Sequence, residues 1–198
     1  MKKLSLMVIG AMLLTAGVYA QKVTQGSLKF LKGETTLNFA FDYSNLKVNG
    51  KPEQAYIDAE VAVRNEKEAG SGDTWKEEWA TSYREEYFQT KVIDYFNQTM
   101  AGTIEGGVKI KANYQALVKT TQIVTGYMAG PISKPAVVNV EVIFTKIGSD
   151  EVLAKVVVKN AKTNTYNMGA LATLQDRIAG AYSYVGQNIA VAVKKAIK

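Results

Sequence analysis

The chain of 198 residues has no cysteine, no histidine and only three prolines. Without cysteine it has no disulfide, so its stability must come from core burial, and a lipid anchor at a lipoprotein-type cysteine is excluded. Without cysteine and histidine together, a Ser-His-Asp triad, a Cys-His pair and a conventional zinc site are all out of reach. Gly-rich phosphate loops of the standard spacings are absent. Charge is modest too. The net value is +6, the lysines are scattered and no block of like charge occurs, so no nucleic-acid partner is expected. Glu77, Glu78, Glu85 and Glu86 share one helical segment; they read as a solvated face, because glycosidase carboxylates must face each other across a cleft. These absences point away from an enzyme: no catalytic residue, cofactor or metal is expected.

Long apolar runs are missing as well, except at the start. Lys2 and Lys3 precede an apolar stretch from Leu4 to Val18, which closes on Val18-Tyr19-Ala20. A charged segment, an apolar segment and small residues at a peptidase site, in that order, read as a secretory signal cleaved before Gln21. An apolar run of roughly 15 residues is shorter than the ~20 that a membrane-spanning helix needs. The expected mature protein is therefore residues 21–198, one exported α/β domain of the periplasm or the cell exterior, with no transmembrane insertion.

Along the mature chain, residues 21–26 read as frayed. Leu28 and Phe30, then Leu37, Phe39 and Phe41, alternate with polar neighbours and suggest a β-hairpin. From Glu53 to Ala69 the residues favour helix, with Ala55, Ala59, Ala62, Ile57 and Val61 as a small-residue face and Gly70-Ser71-Gly72 as its end. Thr74 and Glu77 match a capping box, which starts a helix running to about Met100. Strands follow at Tyr114–Val124, Ala136–Thr145 and Val152–Val158, the last two joined by a turn at Gly148-Ser149-Asp150. A final helix from about Gly169 carries Leu174, Ile178, Ala181, Val185 and Ile189 as an apolar stripe. Gly180 and Gly186 lie within it and suggest close packing. These elements predict an α/β (α+β) fold: a mixed, largely antiparallel five-stranded sheet with helices packed on one face.

From Tyr114 onward the pattern resembles a known type. It includes Val124-Thr125-Gly126, a Gly/Pro loop, the paired strands Val137–Phe144 and Val152–Val158, and a helix with Arg177-Ile178-Ala179-Gly180-Ala181-Tyr182 and Val185-Gly186. It looks like uncharacterised exported proteins of Bacteroidota and, more distantly, is similar to α/β domains of the TolB amino-terminal and curli-secretion-lipoprotein type. Phe41-Asp42-Tyr43-Ser44-Asn45 and the entry Gly72–Trp75 also look like the Bacteroidota group. The resemblance implies an envelope domain that binds other proteins or helps assemble a complex, with no catalytic residues to carry over; the expected partner is another envelope protein or a second copy of the chain.

Two candidate sites stand out. At about 100° per residue, Trp75, Trp79, Tyr83 and Tyr87 span one sector of their helix, while Phe88, Val92, Tyr95 and Phe96 fall on roughly the opposite sector. One buried face cannot hold both sets. Either the first set is an exposed aromatic patch for a glycan or a protein, or a bend near Arg84, or the helix 53–69, buries it. The loop Gly126–Pro135 offers Tyr127, Met128 and Ile132 as apolar residues that either serve a partner or fold back on the domain edge. The expected function is an accessory domain that binds envelope proteins; the alternative is a glycan or small-ligand binder that uses the aromatic patch.

Overall fold

The computed structural model describes residues 20–129, 132–164 and 173–198. The expected signal sequence lies outside these residues apart from Ala20, and so do residues 169–172, the expected start of the last helix. In chain order the elements are β1 (Ala20–Gly26), a 3-10 turn (Leu28–Leu31), β2 (Thr36–Asp42), β3 (Lys47–Val48), β4 (Lys51–Pro52), α1 (Glu53–Lys67), α2 (Ser71–Ala80), a π-helix (Tyr83–Gln89) and α3 (Thr90–Met100). Then come β5 (Glu105–Val108), β6 (Tyr114–Val124), β7 (Tyr127–Ala129), β8 (Ile132–Lys134), β9 (Val137–Lys146), β10 (Val152–Lys162) and α4 (Leu174–Ile197).

The sheet runs β1-β10-β9-β6-β2-β5, with β3 and β4 appended beside β6. β2 is parallel to both β5 and β6, whereas β6, β9, β10 and β1 pair antiparallel. The mixed, largely antiparallel sheet with helices on one face is thus present, and its main path holds six strands rather than five.

Four of the five expected strands are present, as β2, β6, β9 and β10, and β1 and β5 join them. Residues 21–26 are not frayed: they pair with β10 from Gln21↔Val158 to Gly26↔Ala154. Their side chains from Lys22 onward are exposed, so backbone hydrogen bonding to a free sheet edge holds this strand, and hydropathy could not reveal it. The expected hairpin is absent for a related reason. Leu28 and Leu31 are buried in a 3-10 turn capped by the Ser27 hydroxyl, and β2 inserts between β5 and β6 instead of pairing backwards.

Alternation in the long strands decides the inner face. Val138, Val140, Val142 and Phe144 of β9 are buried together with Val156 and Val158 of β10 and Ala116 and Val118 of β6. The outward face is half-exposed and carries ion pairs: Lys119 Nζ to Asp42 Oδ2 at 3.1 Å and Lys155 Nζ to Glu141 Oε1 at 3.4 Å. An antiparallel sheet tolerates one such wetted face. On the inner face lies α4, whose Ile178, Tyr182, Val185 and Ile189 are fully buried. Here α3 crosses it at backbone contact: a Cβ on Gly186 would lie 2.1 Å from the Val92 carbonyl oxygen. Phe88 stacks on Tyr182 with ring centroids 5.0 Å apart, and the Tyr182 hydroxyl bonds with Thr120 at 2.8 Å.

On α1 the buried side chains are Tyr56 and Ile57, while Ala55, Ala59 and Ala62 point outward. The expected alanine face is corrected because burying tyrosine and isoleucine removes far more apolar area from water.

Candidate functional site

The aromatic segment is not one helix. At Thr81 the backbone departs to φ −116° and ψ −89°, and Tyr83–Gln89 winds as a π-helix before α3 resumes regular geometry. The wider turn is locked by the Thr90 hydroxyl, which donates to the Glu85 carbonyl five residues back. An inserted π-turn shifts the helical phase, so residues before and after it can both face inward. This resolves the two aromatic sectors. Trp75, Trp79 and Tyr83 are 3%, 1% and 8% exposed, which corrects the exposed patch. Of the opposite set, which reads as core from its spacing, Phe88, Val92 and Phe96 are buried and Tyr95 is 39% exposed.

The first set packs against α1. Tyr56 lies 6.0 Å from Trp75 and 5.5 Å from Trp79, centroid to centroid, and the two indoles are 5.5 Å apart. Tyr87, half-buried, meets Tyr83 at 6.1 Å. Trp79 is also held by polar contacts. Its Nε1 donates to Glu53 Oε1 at 2.7 Å, and Arg84 Nη2 donates to the same oxygen at 2.7 Å while its guanidinium covers the Tyr43 ring at 4.5 Å.

Helices α1 and α2 form a tight hairpin. Gly70 turns the chain at φ +82°, a left-handed conformation that glycine adopts without strain. Gly72 lets α2 press onto α1, since a Cβ there would lie 2.4 Å from the Val61 carbonyl oxygen. The expected Thr74–Glu77 capping box is not formed. The helix starts earlier, at Ser71, and Asn65 of α1 caps it: its Oδ1 accepts from the Gly72 N–H at 2.8 Å. The Thr74 hydroxyl instead donates to the Gly70 carbonyl at 3.3 Å.

Beside this turn is a cleft of about 530 Å³. Arg64 comes from α1 and Glu68 from its C-terminal cap, Ser71, Thr74, Trp75 and Glu78 from α2, and Tyr83 from the π-helix. The guanidinium of Arg64 lies 4.8 Å over the Trp75 ring, and its Nη2 reaches Glu60 Oε2 at 3.5 Å. Burial pushes the Tyr83 phenol pKa up, and the charge of Glu78 adds to it. Sequence reasoning found Trp75 and Tyr83 but missed Arg64, Thr74 and Glu78 as their companions. The signal was available in Gly70-Ser71-Gly72, which folds the two helices together.

Tyr127 and Met128 stand apart on the β7–β8 hairpin. Tyr127 is 43% exposed with Lys134 Nζ 5.8 Å from its ring centre, and Ile132 on the facing strand is 61% exposed. Among the described residues no group of three or more Asp and Glu side chains is gathered as a metal site. Among them, too, no helix is long and apolar enough to cross a membrane.

No protein-family model matches the chain, and no curated protein matches it in sequence. It is similar to solved structures of the PelC dodecamer from Paraburkholderia phytofirmans. One of these, a point variant, has 9% identity over 86% of this chain and 98% of that chain at a TM-score of 0.40. A second has 9% identity over 86% of this chain and 96% of that chain at 0.38.

Proposed function

We propose that this chain is a non-enzymatic accessory protein, exported to the periplasm or the cell exterior, that works by binding. Its binding site is the α1–α2 cleft and its ligand a glycan or another small polar molecule. The observation that supports this is concavity with convergent polar groups. Arg64, Thr74, Glu78 and Tyr83 from three elements line one depression of about 530 Å³, within the size range of small-ligand sites. Ring stacking on an open tryptophan face plays no part in it, because Trp75 and Trp79 are buried.

Binding to an envelope protein is the second reading. It is favoured by Tyr127 and Ile132, exposed on one face of the β7–β8 hairpin; among the described residues the other exposed large apolar side chains lie singly along the chain.

The mature protein, residues 21–198, separates the two readings. Trp75 lines the cleft, so neutral oligosaccharides are titrated against tryptophan fluorescence. A saturable change that Glu78→Ala abolishes is the expected result. No change with any sugar, together with an envelope protein that is retained by the wild type and lost on Tyr127→Ser or Ile132→Ser, would move the function to the hairpin.

A further inference from the structure

Helix α4 packs on the inner face of the sheet, and the outward side chains of β2, β6, β9 and β10 stay half-exposed. Strand register aligns them in rows. Asp42, Lys119 and Glu141 stand side by side across β2, β6 and β9. In the next row, two residues along each strand, Leu117 of β6 stands beside Ile143 of β9, and Ile143 beside Lys155 of β10. Asp42 meets Lys119 at 3.1 Å and Glu141 meets Lys155 at 3.4 Å. Charge therefore alternates from strand to strand: negative on β2 and β9, positive on β6 and β10.

A pattern that alternates over four neighbouring strands is its own complement. A second copy can be laid face to face on the first, turned by a half-rotation about an axis that runs along the strands between β6 and β9. Strand β6 then lies over the partner's β9, and β2 over the partner's β10. Lys119 meets the partner's Glu141, Leu117 meets the partner's Ile143, and Asp42 comes beside the partner's Lys155. In a two-fold contact each of these occurs twice. An axis across the strands fails, because each strand would lie over itself and set like charge on like charge, or charge on Leu117. The twist of stacked sheets turns their strands by about 30°, which keeps the central β6 and β9 contacts in place.

We infer that the outward sheet face is the contact of a symmetric dimer of this chain. A second copy presents the whole complement at the same strand spacing. The size also fits. Over β1, β10, β9, β6 and β2 the face measures on the order of 700 Å², taking about 4.8 Å between strands and about 3.4 Å per residue; one partner of a standard interface buries about 800 Å². Leu117 and Ile143 supply apolar burial, and the charged row sets the register, the usual part of charge pairs at an interface.

Sedimentation of the mature protein, residues 21–198, over a range of concentrations is the test. The wild type is expected to show a reversible monomer–dimer equilibrium. Lys119→Glu sets carboxylate against carboxylate at both symmetric contacts, and Glu141→Lys sets ammonium against ammonium. Each is expected to weaken the dimer by about tenfold or more, with circular dichroism confirming the fold. An equal mixture of the two variants is expected to form a heterodimer, because the exchanged charges then face each other across the interface. Mixing restores nothing that these residues do within one chain, so the rescue reports on the contact itself. Should either charge variant fail to fold, Leu117→Ser and Ile143→Ser carry the test, each expected to weaken the dimer by roughly tenfold. A wild type that is monomeric at every concentration overturns the inference and leaves the face to solvent or to another partner. A dimer of unchanged strength in these variants overturns it by placing self-association on another surface. A mixture of folded charge variants that stays monomeric overturns the proposed axis.

Discussion

Trp75 and Trp79 stand one helical turn apart with their rings in contact at 5.5 Å, yet their surroundings differ. Trp79 is the inner of the two and shares the Glu53 carboxylate with Arg84. Trp75 lies at the cleft wall beneath Arg64. Both are core residues by burial, so Trp75→Ala and Trp79→Ala are each expected to cost about 3–5 kcal/mol in urea denaturation. The loss should be larger for Trp79, whose removal also takes a donor from Glu53. A loss below ~1 kcal/mol at either position, as at ordinary surface sites, would show that it does not pack as described. The aromatic spacing of these residues is plain in the sequence. Which way they face is not, because spacing alone carries no record of the phase change at Tyr83–Gln89.

At the scale of elements, the crossing of α3 and α4 depends on the absence of a side chain. Gly186 lies against the backbone of Val92, where a Cβ would come within 2.1 Å of the carbonyl oxygen. In a freely exposed helix, replacing glycine by alanine stabilises by nearly 1 kcal/mol. Here the contact is with backbone, which cannot swing away. Gly186→Ala is therefore expected to destabilise by ~1–3 kcal/mol, as overpacking does, and a thermal or urea melt more stable than wild type would refute the close crossing. The glycine was legible as a packing signal from its place in the apolar stripe of α4. Its partner on α3 was not, because the contact joins residues far apart in the chain.

For the whole molecule, buried phenols set the alkaline limit. Desolvation by burial raises the pKa of Tyr43, Tyr56, Tyr83 and Tyr182 above the ordinary value of 10.0. In the unfolded chain these phenols lose their protons near pH 10, whereas the folded chain retains them. Above that pH the unfolded state binds fewer protons than the folded one, so stability falls as pH rises, and below it these groups have no effect. Part of the phenolate absorbance is expected to emerge only as the fold's circular dichroism is lost. Complete phenolate formation with the dichroism intact would contradict it. On the acid side, the backbone hydrogen bond from Ser44 is the main cause that lowers the Asp42 pKa below 3.8, with Lys119 adding to it. Its contribution is present above about pH 4 and is lost as pH falls through the lowered value.

By itself the sequence determined what depends on neighbours along the chain. The strands expected at Tyr114–Val124, Ala136–Thr145 and Val152–Val158, the turn between the last two and the apolar stripe of α4 all follow from side-chain period, a local property, whereas the extension of β10 to Lys162 past an irregularity after Val158 does not. The class of sheet and the face that α4 covers follow in turn. Tertiary structure alone decided three things. It placed β1 on the free edge of β10 through backbone bonds that no side-chain pattern records. It sent β2 to a parallel place beside β6, because that is where Leu37 and Phe39 reach the core. And it turned the aromatic face inward through the π-helix, leaving a cleft whose walls come from α1, α2 and Tyr83. A cleft is a relation between surfaces of separate elements, and only the packing of α2 on α1, with Gly72 against Val61, brings those surfaces together.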